Sequence, residues 1–337
     1  HDNRSQQMIN QRLFQHYGID TKKDLKIKNL CPRPKDTILI DKQGSCYACE
    51  CTAWLPQSIG NLQVKSLSEI IGSETHTQLQ DSISDGSYRY CNENQCPYIK
   101  SGNVLNTIQD TLIKEIRLAI DDSCNLRCPS CRNGMIFHKE GLTYNKRIKL
   151  ADSINHWLEL QEHPLTVHMG SDGDPFASNI YRYFMSNTPI KTNIGYSILT
   201  NGLMFEEHRG VLANIMGKLK VLGVSIDGAS KQTYEKLRLG GRWDKIKSNL
   251  QSMADSKDKY NFWFRFHVVL QQDNWWEMKD MVELAESYGV DEIYFSKIQD
   301  WNTALDHSKQ TFTNLKEFKD LRDEVNNMST KYIVAGF

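Results

Sequence analysis

Residues 121–131 read Asp-Asp-Ser-Cys-Asn-Leu-Arg-Cys-Pro-Ser-Cys, and the rest of the chain is interpreted around them. The cysteines Cys124, Cys128 and Cys131 have C-x3-C-x2-C spacing, which is close enough for three thiolates to bind one metal centre. Three thiolates are one too few to complete a tetrahedral zinc site or a four-iron cluster. The open coordination position indicates a catalytic centre. A structural zinc with a distant fourth ligand is the alternative.

The composition of the chain excludes several classes of partner. Its 337 residues include 41 basic and 41 acidic side chains, so no basic surface for nucleic acid or anionic membrane is expected. No apolar stretch has the length of a membrane span, and the first residues lack a signal-peptide core. Nine clustered cysteines suit metal thiolates in a reducing compartment better than a disulfide framework. We therefore predict a cytoplasmic protein.

From residue 113 onward, short apolar strands alternate with amphipathic helices, which predicts a parallel sheet. Six strand–helix units in about two hundred residues are too few for a complete eight-unit barrel. The predicted strands are Glu115–Ile120, Leu165–Gly170, Tyr196–Thr200, Val221–Asp227, Phe262–Leu270 and Glu292–Lys297. The predicted helices are Lys146–Leu160, Phe205–Leu219, Asp244–Asp255 and Trp275–Tyr288, with another at Ser66–Ser82 upstream.

Alternate residues of each strand separate an apolar face from a polar one. In Phe262–Leu270 the all-apolar face should meet the helices, so Arg265 and His267 should point into the barrel lumen. The same alternation sends further polar side chains inward from the other strands. These are Arg117, Asp121, Thr166, His168, Ser225 and Asp227. A core in which these groups only satisfy one another is the structural alternative.

The cysteine triplet resembles that of the radical S-adenosylmethionine (radical SAM) enzymes, in which three cysteines hold a 4Fe–4S cluster and SAM chelates the fourth iron. The resemblance implies an α/β fold with a partial (β/α)6 TIM-like barrel. It also implies SAM contacts from residues that match the family's later motifs. Gly173 and Asp174 resemble a glycine-glycine-glutamate segment, in which the carboxylate hydrogen-bonds the SAM amino group. Ser225, Asp227 and Arg238 lie in stretches that face SAM in relatives.

The upstream region contains six further cysteines, and its spacing Cys31-x12-Gly44-x4-Cys49 resembles half of the SPASM motif. SPASM modules bind an auxiliary iron–sulfur cluster and normally follow the barrel, whereas this region precedes it. Cys91 and Cys96 would complete a set of four thiolates with Cys31 and Cys49, which would bind an auxiliary 4Fe–4S cluster. Cys46 or Cys51 could replace Cys49. A structural zinc is the alternative metal.

The resemblance implies reductive cleavage of SAM to a 5′-deoxyadenosyl radical, followed by hydrogen abstraction from a substrate. Relatives with SPASM-type modules mostly modify ribosomally made peptides, so a precursor peptide is the predicted partner, with flavodoxin or ferredoxin as electron donor. Cys124, Cys128, Cys131, Arg265 and His267 are the predicted catalytic residues. A dehydrogenase or epimerase acting on a small molecule or sugar is one alternative. A non-enzymatic iron–sulfur electron carrier is another.

These patterns predict four segments along the chain. Residues 1–30 form an N-terminal extension, and residues 31–112 form a small cysteine-rich accessory domain that resembles a SPASM module. Residues 113–310 form the radical SAM partial barrel. Residues 311–337 form a closing segment, which contains one helix and an apolar end.

Overall fold

The structure is a computed structural model that describes residues 11–12, 14–102, 112–300, 303 and 305–328, and the backbone of 332–335. It divides into two compact units. Unit 1 is drawn from residues 1–121, 140–172 and 187–195, and unit 2 from 122–139, 173–186 and 196–337. This division differs from the four predicted segments, because the first strands of the expected barrel belong to the same unit as the cysteine-rich region.

Unit 1 contains a mixed sheet with the strand order β5-β4-β1-β2-β3. Strand β1 lies parallel to β4, with Thr37 opposite Glu115, and β4 lies parallel to β5. Strands β2 and β3 add an antiparallel hairpin on the other side of β1. The cysteine-rich region therefore extends the sheet that β4 begins. The strands are β1 (Thr37–Asp41), β2 (Ser45–Tyr47), β3 (Ser58–Asn61), β4 (Glu115–Ala119) and β5 (Leu165–Met169).

The predicted helix over Ser66–Ser82 is two helices in the structure. Gly72 separates them with a φ of +80°, a backbone conformation that favours glycine. Ser66 begins the first helix with a capping box to Glu69, and Ser73 caps the second. Two helix N-caps within eight residues therefore divide the segment into two helices, although its sequence predicts one continuous helix. The α-helices of unit 1 are Arg33–Asp36, Leu67–Ile70, Glu74–Ser84, Pro97–Ser101 and Gly141–Glu159.

Unit 2 contains a parallel sheet with the order β10-β9-β8-β7-β6. The alternation predicted for β8 is confirmed, because Phe264, Phe266 and Val268 are fully buried while Arg265 and His267 are only partly so. Strand β10 pairs with β9, within the tail that was predicted to close the barrel. The strands are β6 (Ile194–Thr200), β7 (Leu219–Ser225), β8 (Trp263–Leu270), β9 (Glu292–Lys297) and β10 (Tyr332–Ala335).

In unit 2 the predicted helix Asp244–Asp255 occurs within Trp243–Tyr260, and Trp275–Tyr288 forms a 3-10 turn followed by an α-helix. The helices Asn179–Asn187 and Lys231–Leu237 are not among the predicted ones. The segment Phe205–Leu219 does not form the predicted helix. That segment contains Gly210 and Gly217 and forms one α-turn and two 3-10 turns. The α-helices are Asn179–Asn187, Phe205–His208, Lys231–Leu237, Trp243–Tyr260, Met278–Ser287 and Lys316–Met328. The 3-10 helices are Arg209–Leu212, Met216–Lys218, Trp275–Glu277, His307–Lys309 and Phe312–Asn314.

The predicted fold class is confirmed: the chain is an α/β protein with mostly parallel strands and a cysteine-rich accessory region. In a parallel sheet, the loops after the carboxyl ends of the strands carry the functional groups. The triplet Cys124–Cys131 follows β4 in the sequence, and Asp227 follows β7. Among the described residues, no helix is both long enough and apolar enough to cross a membrane.

Candidate active site

The loop that contains the cysteine triplet is held by backbone hydrogen bonds within unit 2. Cys124 and Ile136 form an antiparallel bridge, in which the Cys124 N–H donates to the Ile136 carbonyl at 2.8 Å. The Cys131 N–H donates to the Cys128 carbonyl at 2.9 Å, which closes a turn between the last two cysteines. Cys124 and Cys128 are buried, and Cys131 is exposed. Burial raises the pKa of the Cys124 thiol to about 11.

Asn201, in the turn after β6, contacts this loop directly. Its Nδ2 donates to Asn125 Oδ1 at 2.9 Å and lies 3.7 Å from Cys124 Sγ. The next residue, Gly202, has a φ of +77°, and a Cβ there would lie 2.7 Å from Ile246 Cδ1. The left-handed backbone and the close approach to Ile246 both favour glycine at this position. The contact places Asn201 directly beside the first cysteine of the triplet.

Asp174 joins three parts of the site. Its Oδ1 accepts hydrogen bonds from the Phe176 and Ala177 N–H groups at 3.1 and 3.0 Å. Its Oδ2 accepts from the Thr200 hydroxyl and the Asn201 N–H, both at 2.7 Å. The Asp174 N–H donates to the Ser123 carbonyl at 2.8 Å, next to the first cysteine of the triplet. Asp174 therefore fixes the position of Asn201 relative to that cysteine.

The predicted contact between Asp174 and the SAM amino group stays a prediction. The carboxylate is 2% exposed and already accepts four hydrogen bonds from this chain. Burial raises the pKa of the Asp174 carboxyl, while the four donors favour its ionised form. Gly173, immediately before it, has a φ of +68°. The observed bonds give Asp174 a role in holding the loop together.

Asp227 and Arg238 form a buried ion pair beside the triplet. Arg238 Nε lies 2.8 Å from Asp227 Oδ2, and the two side chains are only 12% and 3% exposed. Asp227 Oδ1 also accepts a hydrogen bond from the Val269 N–H at 2.9 Å. Burial raises the pKa of the Cys128 thiol, and the positive charge of Arg238 opposes that shift. The pair therefore places a fixed cation near a predicted cluster ligand.

Glu277, which was not among the predicted site residues, shapes the loop after β7. This buried carboxylate accepts hydrogen bonds from the Ala229 N–H at 2.7 Å and the Ser230 hydroxyl at 3.0 Å, and also from the Thr233 hydroxyl. Asn274 Nδ2 donates to the Asp227 carbonyl at 3.0 Å. The segment that follows β8 thus holds the loop that carries Asp227. No local sequence pattern signals this contact.

Of the two predicted catalytic residues on β8, Arg265 is already paired. Its guanidinium binds both oxygens of Glu292, with Nε–Oε1 at 2.6 Å and Nη2–Oε2 at 3.0 Å. His267 lies opposite Ser225 of β7, and its ring centroid is 5.3 Å from that of Tyr294. Burial lowers the pKa of His267 to about 4, helped by the charges of Arg265 and Arg238. His267 is therefore neutral at physiological pH.

The depressed pKa of His267 predicts an acid-sensitive fold. An unfolded histidine titrates at a pKa of about 6.5, so between about pH 4 and 6.5 the unfolded chain binds more protons. The stability contributed by neutral His267 is fully present at pH 7 and is lost as the pH falls through this window. His267 should account for up to about 3 kcal/mol of the fall in unfolding free energy over this pH window. His267→Gln should remove that contribution.

Urea unfolding at pH 4.5 and pH 7.5 measures this effect. The exposed His156 provides a matched control, and His156→Gln should keep the pH dependence of the parent protein. Equal pH dependence in His267→Gln and the parent would show that His267 is not buried in its neutral form.

The four upstream cysteines predicted as auxiliary ligands lie together within unit 1. Cys31, Cys49, Cys91 and Cys96 line one pocket, whose other lining residues are Arg33 and apolar or aromatic side chains. At the edge of this pocket, the Tyr88 hydroxyl accepts a hydrogen bond from the Cys31 N–H at 2.9 Å. Cys46 lies in β2 with its thiol 3.8 Å from the Gly44 carbonyl oxygen and does not line this pocket. Cys51 does not line it either.

The cysteine sulfurs lie too far apart in this structure for three of them to bind one zinc ion. All nine cysteines are described and are free thiols, as predicted, with no three of their sulfurs within 4.8 Å of one another. Sulfurs bound to one zinc ion lie about 3.8 Å apart. Burial raises the pKa of the Cys49, Cys91 and Cys96 thiols, so metal binding has to displace their protons. Four cysteines around one pocket are the donor set that a 4Fe–4S cluster uses.

Tyr234 provides an independent test of whether the residues around the triplet fit an iron–sulfur cluster. Its side chain is fully buried, and within the described part of the chain its hydroxyl has no hydrogen-bond partner. Burial raises the pKa of this hydroxyl, and the charge of Cys128 acts in the same direction. A buried hydroxyl is stabilised by an acceptor, and a sulfur-rich cluster on Cys124, Cys128 and Cys131 would bring acceptors to this side of the loop.

Two family models match the two cysteine-containing regions of the chain. The model of the radical SAM superfamily matches residues 120–285. The chain belongs to the radical SAM superfamily. The model of SPASM, an iron–sulfur cluster-binding domain, matches residues 31–97, ahead of the radical SAM domain. This radical SAM enzyme therefore binds SAM and 4Fe–4S clusters, and its SPASM domain is N-terminal, as predicted.

Two curated relatives are similar over part of the radical SAM enzyme. The GTP 3′,8-cyclase of Synechocystis sp. is 27% identical over 215 residues, which are 61% of this chain and 60% of the relative. A probable GTP 3′,8-cyclase of Methanococcus maripaludis is 26% identical over 145 residues, 42% of this chain and 46% of the relative. The chain thus spans less than two thirds of the length of either relative.

Two solved structures are also similar to this chain. Streptococcus suis SuiB bound to its precursor peptide SuiA has a TM-score of 0.48 and 12% identity, covering 78% of this chain and 54% of SuiB. Native anSMEcpe with bound AdoMet has a TM-score of 0.44 and 16% identity, covering 66% of this chain and 64% of that protein.

Proposed function

We propose that this radical SAM enzyme reductively cleaves SAM and abstracts hydrogen from a ribosomally made peptide. The observation that supports SAM cleavage is the loop of Cys124, Cys128 and Cys131, ordered by Asn201 and placed beside a buried Asp227–Arg238 pair. With cluster and SAM bound, one-electron reduction of the sulfonium yields methionine and a 5′-deoxyadenosyl radical. The protein supplies binding, orientation and exclusion of water.

The side chains of this chain have distinct proposed roles at the site. Cys124, Cys128 and Cys131 hold the cluster, and Asn201 orients the first of them. Gly173, Asp174 and Ser225 belong to the loops and strand end that contact SAM. The Asp227–Arg238 pair holds a positive charge near the cluster, and its burial keeps that charge in place. Neutral His267 and the paired Arg265 line the wall where the substrate binds.

The proposal of a peptide substrate rests on the SPASM domain and its four clustered cysteines. Cys31, Cys49, Cys91 and Cys96 are the proposed ligands of a second 4Fe–4S cluster, which accepts an electron from a substrate radical or binds the substrate. A module of this kind adds a redox site that SAM cleavage itself does not need. A reduced flavodoxin or ferredoxin is the proposed electron donor, and a reducing cytoplasmic compartment suits the nine free thiols.

A small-molecule substrate is the second candidate. The similarity to GTP 3′,8-cyclases favours it, because their name describes a nucleotide reaction and the similarity covers 61% of this chain. Both candidates share SAM cleavage and differ in what receives the radical. Incubation with SAM, reductant and either a peptide encoded beside this protein or GTP separates them by mass spectrometry. A mass change in the peptide supports the proposal, and a change only in GTP supports the second candidate.

The number of clusters is a separate prediction. Anaerobic reconstitution should give about eight irons per chain, because two four-iron clusters are proposed. Replacing Cys49 and Cys91 by alanine should reduce this to about four while SAM cleavage persists. Iron and sulfide analysis together with the production of 5′-deoxyadenosine measures both. About four irons in the parent protein would remove the auxiliary cluster from the proposal.

A further inference from the structure

Four charged side chains beside the auxiliary pocket form a closed ring in unit 1. Glu50 forms an ion pair with Arg33, and its Oε2 lies 3.4 Å from Arg117 Nη2. Arg117 Nη2 also lies 3.0 Å from Glu115 Oε2, and Arg33 Nη1 lies 3.1 Å from Glu115 Oε1. Cations and carboxylates thus alternate around the ring. We call Arg33, Glu50, Arg117 and Glu115 the charge ring.

The charge ring joins the auxiliary pocket to strand β4. Arg33 lies two residues after Cys31, and Glu50 lies between Cys49 and Cys51. Tyr98, two residues after Cys96, donates a hydrogen bond to Glu50 Oε1 at 3.4 Å. The chain segments that carry three of the proposed ligands, Cys31, Cys49 and Cys96, therefore meet at the Glu50 carboxylate. Glu115 and Arg117 come from the same face of β4, which the alternation assigns to the barrel lumen.

The position of the charge ring gives it influence over charge in the pocket. Its side chains are only 14% to 24% exposed, so water screens them incompletely. The negative charge of Glu50 acts on Cys49, Cys51 and Cys96, and the positive charge of Arg33 acts on Cys31. Arg117 is farther along the ring and acts by balancing and orienting Glu50.

We propose that the charge ring sets the reduction potential of the auxiliary cluster, with Arg117 as a positioning residue that acts through Glu50. This inference rests on the proposed ligands Cys31, Cys49, Cys91 and Cys96. Reduction adds one electron to the cluster, so a neighbouring guanidinium favours the reduced state and a neighbouring carboxylate opposes it. Charge and hydrogen bonding around the sulfurs are recognised levers on such potentials. The ring therefore links a strand of the barrel to the redox behaviour of the pocket.

The test measures the auxiliary cluster alone, in the full chain with Cys124, Cys128 and Cys131 replaced by alanine. A redox titration followed by electron paramagnetic resonance gives its midpoint potential. Arg117→Gln should make reduction about tenfold less favourable, a shift of about 59 mV to lower potential for a one-electron couple. Glu50→Gln should shift the potential in the opposite direction. Opposite shifts distinguish a charge effect from a loosened fold, which would affect both variants alike.

Two further variants complete the experiment. Arg117→Lys keeps the positive charge and should return the potential towards that of the triple-alanine parent. Glu74→Gln removes an exposed carboxylate elsewhere in unit 1 and should leave the potential unchanged. Equal potentials in the parent, Arg117→Gln and Glu50→Gln, or shifts of the same sign, would overturn the inference. A triple-alanine parent without iron would instead overturn the proposed ligand set, and the inference with it.

Discussion

Replacing Cys124, Cys128 and Cys131 together by alanine is expected to abolish formation of 5′-deoxyadenosine. These thiolates are the only cysteines of the loop that Asp174 and Asn201 order, and a cluster cannot be held there without them. The variant should also lose about half of its iron, because the auxiliary cysteines remain. Anaerobic incubation with SAM and a chemical reductant, analysed by liquid chromatography, measures the product.

Cys46→Ala is the matched control for this prediction. Cys46 is completely buried in β2 but lies outside both proposed metal sites, so the variant should keep the full iron content and SAM cleavage. Continued production of 5′-deoxyadenosine by the triple-alanine variant would contradict the assignment of the triplet as the site of SAM cleavage.

Replacing Arg238 by glutamine is expected to weaken SAM binding and to destabilise unit 2 at the same time. The change leaves the carboxylate of Asp227, 2% exposed, without its cation. Breaking one side of a buried ion pair typically costs about 3–5 kcal/mol. Asp227 also accepts a hydrogen bond from the Val269 N–H, so a shift of its carboxylate disturbs strand β8. Urea unfolding and equilibrium binding of SAM measure the two effects separately.

The control for this prediction is Arg242→Gln. Arg242 is exposed four residues further along the chain, and its replacement should change the unfolding free energy by less than about 0.5 kcal/mol. Unchanged SAM affinity in a correctly folded Arg238→Gln variant would limit the Asp227–Arg238 pair to a structural role.

The sequence was sufficient to predict those features that depend on local periodicity. The alternation in residues 262–270 placed Arg265 and His267 opposite the apolar face, because a strand has a fixed two-residue period. The cysteine spacings identified both metal regions for a similar reason, since ligands of one cluster recur at short intervals. All six predicted strands occur, and none of their ends differs from the prediction by more than two residues.

Contacts made across the fold could not be predicted in this way. Glu277 reaches Ala229 from 48 residues away, and Glu50 reaches Arg117 of β4 from the loop that follows β2. Nothing in the immediate neighbours of these carboxylates distinguishes them from surface residues. Asp174 illustrates a related difficulty, because the sequence indicated an acid near SAM but not that four donors of this chain would occupy it. Such roles depend on distances that only the folded chain defines.

The pairing of β1 with β4 has a consequence for the integrity of the molecule. β1 covers one side of β4 over five residue pairs, from Thr37–Glu115 to Asp41–Ala119. A protein that began at residue 113 would leave that side of β4 as a bare edge, with backbone donors and acceptors open to other chains. Bare edges of this kind promote aggregation. The accessory region thus also protects the edge of β4 from pairing with other chains. During synthesis, β1 has no partner until β4, which lies more than seventy residues later, has been made.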